Sequence, residues 1–283
     1  MLGELVMSFA NWASFPKKIF LRCHEIEISA RKKCKKMLTR APDTEESSHV
    51  ILPIGDRLLA MPANSSCESF VDTSFDPHVR GFLHRPVAPS GDGLVLTHGA
   101  GSNSKARLLV ALAEAFSAAG VTVLRCDLPY RQSRPYGPPR PGDAARDREG
   151  LKNAVTALRN LVPGHVFLGG HSYGGRQSTM LCADQPGLVD GLLLLSYPLH
   201  PPRKHDQLRV QHLPKLQTRA LFVHGTRDPF GSPEEMETAV SLIPAKTRLV
   251  RIEGAGHDLG FKGKARQEEL PALVLAEFQK FFA

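Results

Sequence analysis

The chain has 283 residues, of which 42% are hydrophobic and 23% are charged. This composition is typical of a folded globular protein and excludes a disordered chain or a small disulfide-stabilised scaffold. The net charge is +8, but residues 1–40 alone contain nine lysines and arginines against three acidic residues. Because the excess positive charge is concentrated there, we do not expect the body of the protein to bind nucleic acid.

Residues 1–48 are predicted to form a basic N-terminal extension, joined by a polar linker at 41–48 to a domain spanning 49–283. Apolar residues within 2–15 follow helical spacing. They predict an amphipathic helix on a membrane surface, a helix packed on the domain, or a poorly ordered extension. Peripheral membrane contact through residues 1–40, and organelle targeting, stay open. No apolar run reaches the roughly 18 residues of a transmembrane helix.

The chain contains five cysteines, an odd number without a Cys-x-x-Cys pair. Such widely spaced cysteines predict neither a disulfide framework nor a cysteine-based zinc site. The pattern favours a reducing compartment, and we expect the cytoplasm. Cys126 and Cys182 are predicted to be small buried hydrophobic residues.

From residue 49 onwards, short apolar strands alternate with helical patterns. Parallel strands need a crossover that is usually a helix, so this alternation predicts an α/β fold with a mostly parallel eight-stranded sheet and helices on both faces. Two stretches, 130–147 and 199–217, are predicted as loops, the first because of its prolines. The second is too short for a large cap domain. The predicted strands are 50–54, 79–84, 93–97, 121–126, 166–169, 191–196, 219–223 and 248–252, and the predicted helices are 105–119, 146–161, 175–183, 233–242 and 265–282.

A serine stands between the fifth predicted strand and a helix, in the segment Gly170-His171-Ser172-Tyr173-Gly174. A serine on so tight a turn adopts a strained backbone, and close packing leaves no space for Cβ atoms at the flanking glycines. The turn would expose the Ser172 hydroxyl at a helix N-terminus, as a nucleophile requires. A strand-to-helix turn with a capping serine would explain the same segment.

A serine hydroxyl needs a histidine to accept its proton and a carboxylate to orient that histidine. Both types follow the last two predicted strands, where Asp228 and His257 lie in loops that contain glycine. Each alone would be an ordinary loop residue. Their joint occurrence in the order serine, acid, histidine predicts a catalytic triad of Ser172, Asp228 and His257.

Acyl transfer also needs backbone N–H groups directed at the developing oxyanion. The loop after the third predicted strand, Thr97-His98-Gly99-Ala100-Gly101, commonly supplies one such donor. We expect the N–H groups of Ala100 and Tyr173 to form the oxyanion hole, with Gly99 as the alternative to Ala100. The glycine-rich loop lacks the pattern of a phosphate-binding loop.

These segments, THGAG (97–101), GHSYGG (170–175), HGTRDPF (224–230) and GAGHDL (254–259), resemble the α/β-hydrolase superfamily over about residues 50–283. The short connection after the sixth strand is similar to the capless dienelactone-hydrolase-like branch. The segments are also similar to the hydrolase-like domain shared by testis-expressed protein thirty and a subunit of the nonspecific-lethal chromatin complex. Dienelactone hydrolases use a cysteine where Ser172 stands, so their lactone substrate is not carried over.

Other polar residues near these segments are less strongly indicated as catalytic residues. His98, His171 and His224 are expected to line the mouth of the site, while Asp127 is expected to hold its own loop and Asp258 to point away from the triad. The sequence has no H-E-x-x-H pattern or other compact ligand set, so no metal and no cofactor are predicted.

We therefore predict a serine hydrolase that cleaves an ester, thioester or amide of a small molecule, with a carboxylic ester favoured. Basic residues in 130–147 and 199–217 are compatible with an acidic substrate or with ordinary solvated loop charge. The alternative is a hydrolase-like scaffold without turnover that binds a protein partner and, by the second resemblance, acts in the nucleus.

Overall fold

The structure, a computed structural model, describes residues 66–283. The predicted extension at 1–48 and the predicted strand at 50–54 lie outside these residues. Within the described range, the other seven predicted strands agree with the observed ones to within two residues at each end. The five predicted helices agree to within three residues.

Eight strands form one sheet, in the order β1-β2-β4-β3-β5-β6-β7-β8. The first two pairings, β1 with β2 and β2 with β4, are antiparallel, and all the others are parallel. The predicted mostly parallel sheet is confirmed. The strands are β1 (Ser66–Asp72), β2 (Val79–Arg85), β3 (Gly93–Thr97), β4 (Thr122–Cys126), β5 (Val166–His171), β6 (Gly191–Leu195), β7 (Ala220–Gly225) and β8 (Thr247–Ile252).

Helices cover both faces of the sheet, because the central strands are apolar on both sides and every residue of β3, β4 and β6 is buried. On one face, α1 (Arg107–Ala118) and α6 (Lys264–Phe282) pack through residues such as Phe116 and Phe278, whose rings lie 5.0 Å apart. On the other face lie α3 (Asp143–Arg159), α4 (Tyr173–Asp184) and α5 (Pro233–Val240).

The strand β1 has no counterpart in the sequence prediction. Its residues SCESFVD are mostly exposed, and among residues 66–283 the strand pairs only with β2, at the edge of the sheet. An exposed edge strand lacks the alternation of apolar and polar residues by which a half-buried strand is recognised.

The prediction that 130–147 is a loop throughout was wrong at both ends. A short helix, α2 (Pro129–Ser133), begins at a proline, and α3 begins at Asp143. A proline is tolerated in the first turn because the N–H that it lacks has no helical partner there. Only the segment between the two helices, which contains the four prolines, is irregular.

The connection between β6 and β7, residues 196–219, contains a single 3₁₀ turn at Leu213–Lys215. No cap domain is therefore present in the described part of the chain, as predicted. Across residues 66–283, none of the helices is both long enough and apolar enough to cross a bilayer.

Candidate active site

Ser172 occupies the turn between β5 and α4 with φ 52° and ψ −116°. Positive φ is sterically costly for a residue with a Cβ atom, and such strain is found mainly at functional positions. The Ser172 N–H is held by the carbonyl oxygen of Leu195 at 2.8 Å. The side chain is therefore presented at the carboxyl end of the sheet in one fixed orientation.

The glycines around Ser172 are required by close backbone contacts. A Cβ atom on Gly174 would lie 2.6 Å from the carbonyl oxygen of His98 and from Thr97 Cγ2, and one on Gly170 would lie 2.5 Å from the nitrogen of Gly175. The loop after β3 thus crosses the first turn of α4 at a distance that only glycine permits.

Three predicted residues from three different loops meet at this edge of the sheet. His257 Nε2 lies 2.8 Å from Ser172 Oγ. On the other side of the ring, Nδ1 lies 3.0 and 2.8 Å from the two carboxylate oxygens of Asp228. The hydroxyl can donate to Nε2 only if Nδ1 carries the hydrogen, and the carboxylate accepts that hydrogen.

Both partners of Ser172 are held by further contacts. The Asp228 carboxylate is fully buried and accepts a hydrogen bond of 2.9 Å from the Phe230 N–H. The Phe230 ring lies 4.2 Å from the imidazole of His257, centre to centre. His171 Nε2 donates to the carbonyl oxygen of His257 at 2.9 Å. Desolvation lowers the pKa of His171 to about 4, so this ring is neutral near pH 7.

The loop after β3 lies directly beside the nucleophile. A Cβ atom on Gly99 would lie 3.0 Å from His171 Nδ1 and 3.3 Å from Ser172 Cβ. Among the described residues, the N–H groups of Ala100 and Tyr173 donate to no other protein atom. Tyr173 is the first residue of α4, where N–H groups lack helical partners.

The carbonyl groups of this loop are held from α2, by residues that the sequence analysis missed. The Tyr130 hydroxyl donates to the carbonyl oxygens of Ala100 at 2.8 Å and Gly99 at 3.3 Å. The buried Arg131 guanidinium donates to the carbonyl oxygens of Ala100 at 3.1 Å and Ser102 at 2.7 Å. The only signal was their position between a strand and a proline-rich stretch.

The buried carboxylate of Asp147 connects α2 with α4, the helix that follows Ser172. Asp147 accepts from the Tyr130 N–H at 3.1 Å and from the Tyr173 hydroxyl at 2.8 Å. Desolvation is the main reason why its pKa lies above the usual aspartate value. Burial is the main reason why the pKa of Tyr173 lies far above its usual value, and the contact with Asp147 raises it further.

The remaining candidates fall into two groups. His98 and His171 are among the residues that line a cavity, and His224 is not; His98 and His224 are both buried, and His224 Nε2 lies 2.9 Å from the Gly231 carbonyl oxygen. Asp127 holds its neighbouring loop, since its carboxylate accepts from the N–H of Ser104 at 2.7 Å. Asp258 accepts from the Gly260 N–H at 3.0 Å and not from His257.

A cavity of about 350 Å³ adjoins Gly99 and His171, the direct neighbours of Ala100 and Ser172. Its lining is mostly apolar but includes Asp258, and Arg107 and Lys262 on its wall are exposed to solvent. The shape and lining suit an apolar group with polar atoms at one end. Its apolar lining includes Leu108, Leu109 and Phe261.

A family model described as an alpha/beta hydrolase domain matches residues 91–281, about two thirds of the chain. The protein therefore belongs to the α/β-hydrolase family, as the four sequence segments predicted. The narrower similarity to testis-expressed protein thirty stays a prediction.

Solved structures support the same fold. A dienelactone hydrolase from Anabaena variabilis is 20% identical, with a TM-score of 0.61 over 77% of this chain and 99% of that one. An alpha-beta serine hydrolase homologue from Coxiella burnetii is also 20% identical, with a TM-score of 0.58 over 74% of this chain and 96% of that one. The predicted similarity to the capless dienelactone-hydrolase-like branch is confirmed at the level of the fold.

Among curated proteins, the polyketide synthase ThaQ of Burkholderia thailandensis is 56% identical over 45 residues. The matched segment covers 16% of this chain and 2% of the synthase. The chain thus spans a very small part of this relative, and the activity of the synthase is not transferred to it.

Proposed function

We propose that the protein is a serine hydrolase that cleaves an ester, thioester or amide of a small molecule through an acyl-enzyme on Ser172. The observation that carries this proposal is the continuous set of hydrogen bonds from Ser172 Oγ through His257 to Asp228. Membership of a hydrolase family and the strained backbone of Ser172 support it.

In the first half of the reaction, Ser172 Oγ attacks the substrate carbonyl carbon while its proton passes to His257 Nε2. Asp228 keeps the hydrogen of the ring on Nδ1 and stabilises the imidazolium that forms. When the tetrahedral intermediate collapses, the bond to the leaving group breaks and His257 returns the proton to it. The acyl group is then bonded to Ser172.

In the second half, His257 removes a proton from a water molecule, whose oxygen attacks the acyl carbon. Collapse of this intermediate releases a carboxylic acid and returns the proton to Ser172. In both halves the N–H groups of Ala100 and Tyr173 would hold the oxyanion. The absence of other acceptors for these two N–H groups in the described part of the chain supports the assignment.

The substrate is proposed to place an apolar group in the cavity of about 350 Å³ beside Gly99 and His171. Within residues 66–283, the connection between β6 and β7 carries no cap over the carboxyl end of the sheet. A carboxylic ester is proposed ahead of an amide, because delocalisation of the nitrogen lone pair makes an amide carbonyl less electrophilic towards Ser172.

The test is labelling of the full chain by a fluorophosphonate probe, which reacts with activated serines, followed by mass mapping of the adduct. We expect one adduct on Ser172 that is lost in Ser172→Ala. The matched control is Ser241→Ala, at an exposed serine that ends α5, and its labelling should equal that of the native chain.

Absence of labelling in a correctly folded chain, or labelling that persists in Ser172→Ala, would reject the proposal. The first outcome would favour the scaffold alternative.

One observation weighs against the scaffold alternative. In the segment 130–147, which is rich in proline and arginine, Arg131 is buried and Arg134 forms an ion pair with Asp143. These two basic residues of 130–147 are therefore engaged within the domain and are not free to bind a partner.

A further inference from the structure

Two histidines and a glutamate converge at a point away from Ser172. His200 and His205 lie in the connection between β6 and β7, and Glu235 is the third residue of α5. His200 Nε2 lies 3.3 Å from Glu235 Oε2, and His205 Nδ1 lies 2.9 Å from Glu235 Oε1. One possible ligand atom from each residue lies within 4.8 Å of the other two.

The hydrogen-bond pattern of His200 leaves a lone pair facing a carboxylate. Its Nδ1 lies 2.8 Å from the carbonyl oxygen of Pro201, which can only accept, so Nδ1 carries the hydrogen. In the neutral ring, Nε2 is then an acceptor, yet it faces Glu235, which is also an acceptor. The His200 side chain has 0% exposure, so bulk water does not separate the two. Either a proton on Nε2 or a metal ion bound by both groups removes this repulsion.

Hydrogen bonds within the protein hold His200 and Glu235 in place before any ion binds. The Ser232 N–H donates to Glu235 Oε2 at 2.7 Å. Hydrogen bonds of this kind, to the ligating carboxylate and to the second nitrogen of a histidine, orient the ligands in metal sites.

A capping box explains part of this arrangement, because Ser232 and Glu235 cap the first turn of α5. It does not explain why two imidazoles from another segment turn towards the same carboxylate. The centres of those two rings lie 4.5 Å apart.

We propose that His200, His205 and Glu235 bind a transition metal ion, with Zn²⁺ as the ion that this donor set suits best. Two imidazole nitrogens and one carboxylate oxygen are ligands that zinc accepts readily. Bond lengths of about 2.0–2.2 Å in a tetrahedral site place ligand atoms roughly 3.3 Å apart. The contacts of His200 and His205 with the two oxygens of Glu235, 3.3 and 2.9 Å, are near this value, and all three candidate ligand atoms lie within 4.8 Å of one another. The fourth position is left for water, since His205 and Glu235 also line a cavity of about 190 Å³.

The site would fasten the connection after β6 to the start of α5. The His200 N–H donates to the Phe230 carbonyl oxygen at 3.1 Å, and the Phe230 ring packs on His257. The metal thus has a structural role, holding a loop next to the proposed active site without contacting it. Sequence spacing gives no sign of the site because His200 and Glu235 are 35 residues apart.

The test uses the untagged full chain after removal of metal by EDTA, titrated with Co²⁺ as a spectroscopic substitute and with ZnCl₂ by calorimetry. We expect a single equivalent with visible absorption typical of four-coordinate Co²⁺, and a rise in the melting temperature on addition of Zn²⁺. His205→Ala and Glu235→Gln should each weaken binding at least about tenfold. Glutamine preserves the cap of α5, so this variant should still fold.

Two control variants separate this site from adventitious binding. His165→Ala removes an exposed histidine 3.3 Å from Asp92, and Cys67→Ala removes an exposed thiol. Neither control substitution should weaken the binding of the single metal equivalent that His205→Ala and Glu235→Gln weaken. Failure of the folded native chain to bind either ion, or equal binding by native and Glu235→Gln protein, would overturn the proposal and leave an imidazolium–carboxylate pair. None of these readouts depends on hydrolysis by Ser172.

Discussion

The Tyr130 hydroxyl donates to the carbonyl oxygen of Ala100 at 2.8 Å, on the peptide unit that follows the proposed oxyanion donor. The bond, with that of Arg131 to the same oxygen, limits rotation of the loop around Ala100. Donors aimed at an oxyanion are effective because they do not reorganise during the reaction. Tyr130 thus acts as a positioning residue for Ala100.

Tyr130→Phe should lower the rate of fluorophosphonate labelling and kcat for simple p-nitrophenyl esters by about tenfold, less than the roughly hundredfold loss of a whole oxyanion donor. The KM should change little, because the loop contributes mainly to the transition state. Tyr136→Phe is the control, since its ring is 86% exposed. Equal kcat in native and Tyr130→Phe protein would remove the positioning role.

Asp228→Asn should reduce turnover by about 10³–10⁴-fold with the chain still folded. The amide oxygen would keep the bond from the Phe230 N–H and the NH₂ group would face Nδ1 as a donor, so His257 is held in the wrong tautomer and the imidazolium loses its negative partner. Asp206→Asn is the control, at an exposed carboxylate in the connection between β6 and β7. Similar losses in both variants would show that the acid has been misassigned.

Gly174→Ala should destabilise the fold by about 1–3 kcal/mol, because a Cβ atom would lie 2.6 Å from the His98 carbonyl oxygen and the loop after β3 would have to move. Gly101→Ala is the control, since nothing lies within 4 Å of its added Cβ. The free energy of unfolding in urea measures both. A Gly174→Ala variant as stable as Gly101→Ala would contradict the close crossing.

Periodicity and spacing predicted most of this architecture. Apolar runs in the sequence predict the buried strands. Ser172, Asp228 and His257 follow strands whose carboxyl ends meet at one edge of the sheet, so their order along the chain indicated that they lie together. The hydrogen bond from the Tyr130 hydroxyl to the Ala100 carbonyl oxygen could not be predicted from the sequence, because the two residues are 30 positions apart. The prolines after residue 134 concealed the helix that carries it, and exposed β1 had no pattern to find.

The convergence of His200, His205 and Glu235 was hidden for a related reason. Local spacing detects ligand sets that share one helix or one loop, such as H-E-x-x-H. Here the ligands come from two elements that pack together only in the folded sheet. A site assembled by tertiary contacts is invisible to a search for compact motifs.

His84 gives a pH dependence of stability that is separate from the active site. The ring, on β2, is 1% exposed, and its Nε2 accepts from Arg125 Nε at 2.8 Å. Burial, with the adjacent guanidinium as the second cause, lowers the pKa of His84 to about 4. In the unfolded chain the pKa of a histidine is about 6.5. The unfolded state therefore binds more protons between these values, and stability is lost as the pH falls from about 6.5 towards 4.

His84→Gln should remove this contribution, because the glutamine carbonyl can still accept from Arg125 but does not titrate. The shift in pKa corresponds to about 2 kcal/mol lost by the native chain between pH 7 and pH 5, and the drop in the variant should be smaller by that amount. Urea unfolding at the two pH values measures it. The control is His165→Gln, whose native side chain is 66% exposed and which should keep the full drop. If His84→Gln and native protein lose the same free energy, His84 is not the group that links folding to protons in this range.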